Sequence, residues 1–197
     1  MTNEFTAFSD GSGDNMNPSH PGGAAYIILD SQGNIWKKKS KGFLNTTTNR
    51  MELLAIISIV NSLPQQSSVT IYSDSQYSVN VLSGYWNAYN NLDQVTLYLN
   101  IVYNKQLCVS LQWVKGHAGN QYNELCDQMA REAYSKMLSQ CPVDRATLIK
   151  NAEKEVYGQI SSKEKEKPKP SGWTNELDEQ YYSCITTKGK KKKTKKK

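Results

Sequence analysis

Paired cysteines and metal-binding cysteine motifs are missing from this 197-residue chain. Its four cysteines, Cys108, Cys126, Cys141 and Cys184, include no CxxC pair and have no histidines at zinc spacing, which argues against a structural zinc site and leaves reduced thiols as the expectation. Long apolar runs are absent too. No stretch approaches the ~18 residues of a membrane span, and the first ten residues are polar without an apolar signal core. A cytoplasmic, membrane-free protein is therefore expected. Basic residues are missing from one stretch as well: residues 84–103 contain no Lys or Arg. The formal charge of +6 is unevenly placed, because residues 1–160 carry 12 Lys+Arg against 13 Asp+Glu, net −1, whereas residues 161–197 carry 12 against 5, net +7. The pattern is a nearly neutral globular body followed by a basic tail, which points to a polyanionic partner.

What is present reads as an alternating succession of elements. An apolar run at 5–8 stops at Asp10-Gly11-Ser12, as a buried strand does, and a loop rich in Gly, Pro and Asn follows over 13–23. Residues 24–29 form a second apolar run. After the turn Ser31-Gln32-Gly33-Asn34 comes a third strand at 35–43, with an exposed face studded with lysine. Short connections make these three strands antiparallel neighbours. Thr48 or Asn49 caps a helix in which Leu53, Leu54, Ile57 and Val60 share one face before Pro64 ends it. A strand at 69–72, helices at 76–82 and 92–103, a last strand at 109–114 and a helix at 124–138 complete the pattern. Three hairpin-joined strands followed by two strands reached through helices predict an α/β fold on one five-stranded mixed sheet flanked by helices.

The acidic residues fall at informative places in this layout. Asp10 and Asp74 each stand where an apolar strand ends, Glu52 lies in the first turns of a helix, and Asp127 opens the last one. Strand ends and helix starts share a crevice in such folds, so these carboxylates can meet. Carboxylates held together repel unless cations sit between them, and Mg²⁺, which takes oxygen ligands, is the natural occupant. Two such ions suit in-line phosphoryl displacement. Singly, each residue has a plainer role as a turn former, helix-dipole partner or cap, and His117 alone reads as a loop histidine. The joint arrangement is what points to catalysis.

That arrangement resembles a known family. Asp10-Gly11-Ser12, Thr48-Asn49-Arg50-Met51-Glu52-Leu53, Thr70-Ile71-Tyr72-Ser73-Asp74-Ser75-Gln76-Tyr77, Trp113-Val114-Lys115-Gly116-His117-Ala118-Gly119 and Asn123-Glu124-Leu125-Cys126-Asp127 resemble, in order and spacing, the signatures of bacterial type 1 ribonuclease H. This family belongs to the retroviral-integrase-like superfamily, and the likeness extends over residues 5–134. The resemblance implies the ribonuclease H-like fold and an endonuclease that cuts the RNA strand of RNA–DNA hybrids, leaving 5′-phosphate and 3′-hydroxyl ends. It implies a quartet of Asp10, Glu52, Asp74 and Asp127 binding two Mg²⁺ ions, with Mn²⁺ able to substitute and Asp10 as the shared ligand. By the same resemblance His117 moves protons or assists product release, a task suited to a residue type that titrates near neutrality. Asn123 supports the metal site or the scissile phosphate, and Asn17, Asn49 and Gln76 contact the hybrid.

Two small departures concern the hybrid contacts: Thr48 stands where the family usually has Asn, and the loop at Ser19-His20 is lengthened. A larger one is the loss of the basic helix and loop that many members carry between positions 77 and 109. For Tyr85, Trp86 and Tyr89 in that region, packing beneath a helix is expected, with an aromatic platform for DNA sugars as the alternative. The resemblance ends near residue 140. The catalytic domain is accordingly set at 1–141 and a helical extension at 142–160. Residues 161–197 hold a linker, a short apolar motif at 173–185 and a lysine tail at 188–197 expected to be disordered. That tail reads either as a solubilising appendage or as a clamp on nucleic-acid phosphates replacing the lost basic handle. A monomer is expected. The competing functions are a nuclease of the same fold acting on another nucleic acid, as resolvases and transposases do, and a non-catalytic hybrid-binding module. The loop at 115–119 weighs against the first, and the retention of all four carboxylates against the second.

Overall fold

The computed structural model describes residues 3–15 and 20–140. Asn17, Cys141, Cys184, the extension at 142–160 and the whole of 161–197 lie outside the described residues. Five strands and four helices follow one another: β1 (Glu4–Gly13), β2 (Gly22–Leu29), β3 (Ile35–Phe43), α1 (Thr48–Ser62), β4 (Ser68–Ser73), α2 (Gln76–Leu82), α3 (Leu92–Asn104), β5 (Cys108–Trp113) and α4 (Gln121–Ser139). The strands form one sheet in the order β3-β2-β1-β4-β5, antiparallel over the first three and parallel from β1 to β4 and β5. This is the mixed sheet expected from the element order.

The sheet is sandwiched because its inner strands are apolar on both faces. On one side Ala7, Tyr26, Ile28, Val69, Ile71 and Val109 pack against Leu53, Ile56 and Val60 of α1 and Tyr98 and Val102 of α3. On the other, Phe8, Ile27 and Leu29 meet Cys126, Leu125 and Met129 of α4, and the Phe8 ring stacks on Tyr72 with centroids 5.3 Å apart. Alternate residues of one strand thus feed opposite cores.

Several boundaries differ from the sequence reading, each for a local reason. β1 does not stop at Asp10: antiparallel pairing with β2 carries it on to Gly13 opposite Gly22, while its parallel pairing with β4 ends at Ser9 opposite Ser73. Asp10 therefore lies inside β1, one residue beyond the point where β4 leaves it. The cap of α1 is Thr47, whose hydroxyl accepts from the Arg50 amide at 3.3 Å, one residue before the expected position. α4 starts at Gln121 because the Asn120 side chain accepts from the amides of Tyr122 and Asn123. Asp127 consequently sits in the second turn of α4 instead of opening it. Tyr85 and Tyr89 are 75% and 82% exposed, and Trp86 is half-exposed, so packing beneath a helix is not their role.

Candidate active site

The site forms where the β1–β4 pairing splits. β1 brings Asp10, α1 brings Glu52 and the end of β4 brings Asp74. One carboxylate oxygen from each lies within 4.8 Å of the others. Asp10 and Glu52 are buried, at 6% and 7% exposure. What allows this approach is Gly11: a Cβ there would overlap the Glu52 amide nitrogen and lie 2.8 Å from the Glu52 Cα, so only a residue without a side chain lets α1 sit this close to β1. At Gly116 a Cβ would stand 2.7 Å from Oδ2 of Asp74 and press on that side chain instead of on backbone.

Burial, and after it the crowding of like charge, sets the electrostatics. Burial first, and then the charge of Asp74, push the Asp10 carboxyl up to about 7, with Asp127 adding to the effect and the Gly11 amide, which donates to Asp10 Oδ1 at 2.8 Å, opposing it. Burial first, and next the charges of Asp10 and Asp74, hold the Glu52 carboxyl well above the usual carboxylate range. Glu52 Oε2 is buried without a hydrogen-bond partner among the described residues. Buried and half-buried carboxylates in mutual repulsion, with an unpaired oxygen among them and, among the described residues, no lysine or arginine bound to any of the three, form a hard-oxygen donor set of the kind a divalent cation satisfies. The residues fit the ion.

Asp127 occupies a different position from the other three carboxylates. It acts on Asp10 by charge and through its side chain, yet one of its oxygens accepts from Arg131 Nε at 2.7 Å across one helical turn. Its other oxygen faces His117 Nδ1 at 3.9 Å. The structure thus brings Asp10, Glu52 and Asp74 into one cluster and sets Asp127 at its rim. His117 is 69% exposed, on a loop residue with φ of 53°, a left-handed backbone that non-glycine residues seldom adopt.

The remaining expected residues are distributed around this centre. Asn123 is buried, donates Nδ2 to Asp74 Oδ2 at 3.3 Å, and keeps its buried Oδ1 unpartnered. Asn49 and Gln76 are exposed in the first turns of α1 and α2. Thr48 donates to the Gly13 carbonyl and its amide takes Asn15 Oδ1, which ties the loop after β1 to the start of α1.

Supporting residues went unread in the sequence. Arg131 is one, although its i, i+4 spacing from Asp127 on a helix is a legible signal. Trp113 is another, its indole donating to the Asp74 carbonyl at 3.0 Å. Arg50 forms a two-point bond with Asp93 at 3.0 and 2.6 Å while Gln94 bonds the Arg50 carbonyl, so the start of α1 is clamped to α3.

Comparison with known proteins adds an independent finding. The family described as RNase H matches residues 2–135 of this chain. Ribonuclease HI of Synechocystis sp. is 36% identical over 147 residues, covering 67% of this chain and 88% of its own length. Ribonuclease HI of Haemophilus influenzae is 35% identical over 143 residues, covering 67% and 90%. Among solved structures, the N-terminal RNase H domain of a Mycobacterium tuberculosis protein aligns with a TM-score of 0.61 at 15% identity, over 71% of this chain and 99% of that one. RNase H1 of Halobacterium salinarum aligns with a TM-score of 0.57 at 18% identity, over 68% and 98%. These two likenesses concern the fold.

Proposed function

The chain belongs to the RNase H family, and from that premise we propose how its own residues carry out the reaction. It is a ribonuclease H, hydrolysing the RNA strand of RNA–DNA hybrids with the help of a divalent metal. The proposal is that Asp10, Glu52, Asp74 and Asp127 hold two Mg²⁺ ions, with Mn²⁺ as a substitute, and that cleavage leaves 5′-phosphate and 3′-hydroxyl ends. The convergence of three buried or half-buried carboxylates within 4.8 Å is the observation that carries this reading.

When bound, the ions supply an activated water and neutralise charge developing on the phosphate. Everything else falls to the chain. Asp10, which is raised by Asp74 and Asp127 and whose own charge acts on Glu52, would be the shared ligand in this reading. Asn123 orients Asp74, and its Oδ1 is buried without a hydrogen-bond partner among the described residues. Arg131 holds Asp127 in place without bonding to any of the other three carboxylates. His117, on its exposed loop beside Asp127, accepts or delivers a proton at Nδ1 or Nε2 as the product strand leaves. Asn17, Asn49, Gln76 and Asn123 are the proposed hybrid contacts.

The test is direct. Purified protein is incubated with labelled RNA–DNA hybrid, double-stranded RNA and double-stranded DNA, with Mg²⁺ or with chelator. Cutting of the RNA strand of the hybrid alone, only with metal, is expected; cutting of DNA would overturn the substrate assignment. His117→Ala should lower turnover about tenfold to a hundredfold, because water partly replaces a proton shuttle. Single-turnover kinetics check this, and a loss as deep as that from removing Asp10 would contradict the role.

The proposal extends to a cytoplasmic monomer with the lysine tail as an electrostatic clamp. Cys108 and Cys126 form no disulfide among the described residues. Among the described residues no helix is long and apolar enough to cross a membrane. Residues 188–197 hold eight lysines. Each phosphate a lysine neutralises contributes about 0.7–0.9 to the slope of log affinity against log salt. Truncation after Thr187 should raise KM at moderate salt and flatten its salt dependence, with the rate at saturation almost unmoved. A salt series comparing both proteins decides it, and identical slopes would return the tail to a solubilising role.

A further inference from the structure

The carboxylate site leaves one prominent feature unused. β3 is an edge strand carrying Lys37, Lys38, Lys39 and Lys41, all exposed, and among the described residues none of them forms an ion pair. The body is near neutral as a whole, but its charge is segregated, with cations gathered on β3 and acid at the cluster.

Register separates the four lysines by face. Lys41, Lys39 and Lys37 pair with Ala24, Tyr26 and Ile28, whose side chains point into the α1-facing cores, whereas Lys38 pairs with Ile27, which points toward α4. Three lysines therefore line the α1 side at every second position, spaced about 6.6 Å apart, comparable with successive phosphates along a nucleic-acid strand. They border a groove of about 250 Å³ whose other wall is α1, with Ser58, Asn61 and Ser62 offering hydroxyl and amide groups. Lys37 Nζ donates to Ser62 Oγ at 3.1 Å, and the Tyr26 hydroxyl meets the same oxygen, so the far end of the groove is ordered. Lys105 adds positive charge there: it bonds the last carbonyls of α1, and after burial the nearby charge of Lys37 is the second cause holding its ammonium below the ordinary value.

The row starts close to the reaction centre. Asp10 pairs with Ala25 and Ala25 with Ser40, which puts the backbone of Ser40, between Lys39 and Lys41, two strand spacings or about 10 Å from that of Asp10 along the sheet, with the lysines on the α1 side and Asp10 by alternation on the other. From there the row runs away from the cluster toward Lys37.

We propose that Lys37, Lys39 and Lys41, facing α1 across this groove, form a second nucleic-acid contact, a track for a phosphodiester backbone leading away from the carboxylate site. Lysine on an edge strand also discourages strand pairing between copies. That need makes no demand on which face the lysines take, and it gives no reason for a groove lined with hydrogen-bonding groups. The track recognises phosphate and not base or sugar, so it binds hybrid and DNA duplex alike.

The experiment uses the full chain in chelator, with labelled 24-base-pair DNA duplex and RNA–DNA hybrid as separate probes across a salt series. K37Q/K39Q/K41Q should weaken both by about tenfold at moderate salt and lower the salt slope by roughly 2–3. K37R/K39R/K41R should bind as the parent does, and K38Q, on the opposite face, should change affinity less than twofold. Circular dichroism verifies the fold of each. Because the DNA duplex is not cut, the result on that probe stands whether or not the hybrid is the substrate. Unchanged affinity of the glutamine triple for both duplexes would overturn the track, as would an equal loss in K38Q. Unchanged affinity with new self-association in gel filtration would assign the lysines to edge protection. Loss of binding to phosphatidylserine vesicles alone would assign them to a membrane, and either assignment overturns the proposal.

Discussion

Asp10→Asn is expected to abolish cleavage, lowering the single-turnover rate by about three orders of magnitude or more, while the protein stays folded and still binds hybrid. The magnitude follows from the several kcal/mol of transition-state charge stabilisation that a metal site supplies, at about 1.4 kcal/mol per tenfold in rate. Asparagine keeps the volume of aspartate and loses its charge, so the core around β1 has no cavity to absorb. A second readout makes the argument sharper. In the folded protein the Asp10 carboxyl is raised to about 7 from an ordinary 3.8, and Glu52 is raised with it. Raised carboxylates oppose folding once ionised: the cost is absent below the ordinary value, grows as pH climbs through about 7, and is fully present above it. In chelator the parent should therefore lose thermal stability between pH 4 and 8, and Asp10→Asn should lose less. Adding Mg²⁺ at pH 8 should raise the Tm of the parent by mass action and leave that of the variant almost unmoved. A variant with near-normal turnover would sink the carboxylate assignment; a Tm of the variant that still climbs steeply with Mg²⁺ would move the binding elsewhere.

How much of this was open to reading from the residues depends on whether the cause is local. β3 and α2 were read at their observed bounds, because turn residues and helix-breaking positions flank them directly. The sheet order followed from chain order and short connections. The errors arise where a distant partner decides. Asp10 looks like a strand end from its own neighbourhood, because the polar Gly-Ser after it ends the apolar run; only the pairing of Gly13 with Gly22 extends β1 past it. The start of α4 looks like loop because its first turn, Gln121-Tyr122-Asn123, is polar, and only the Asn120 cap reveals it. At the site, the identities of the four carboxylates came from their motifs. Their unequal standing did not, because it depends on how α4 packs, with Asp127 paired to Arg131 across a helical turn and outside the cluster of three. The lysines of β3 were visible as a run. Which face each takes was not, because that depends on register with β2.

The same distinction bears on Gly11, where a change of one methyl group is expected to harm fold and chemistry together. Gly11→Ala places a Cβ against the backbone of Glu52, with the Met51 carbonyl carbon at 2.6 Å and the Glu52 Cα at 2.8 Å. These are backbone atoms, so no side chain can rotate away; α1 must move as a body. That helix is held by a core of Leu53, Ile56, Ile59 and Val60, each fully buried, and by the Arg50 clamp to α3. Overpacking against such a core costs about 1–3 kcal/mol, which lowers the Tm by roughly 4–8 °C per kcal/mol or somewhat less at this size. The catalytic effect should exceed what that destabilisation explains. Moving α1 outward draws Glu52 away from Asp10 and Asp74, and a displacement of about 1 Å at a reacting centre is enough for a hundredfold loss. At a temperature where the variant is fully folded, its turnover should fall at least that far, and a higher Mg²⁺ concentration should recover part of it. Asp10→Asn should show no such recovery, because there the ligand itself is gone. Thermal melts beside Mg²⁺-dependent kinetics on the two variants separate the cases, and a Gly11→Ala protein with parental Tm and turnover would refute the close approach of β1 and α1 on which the site depends.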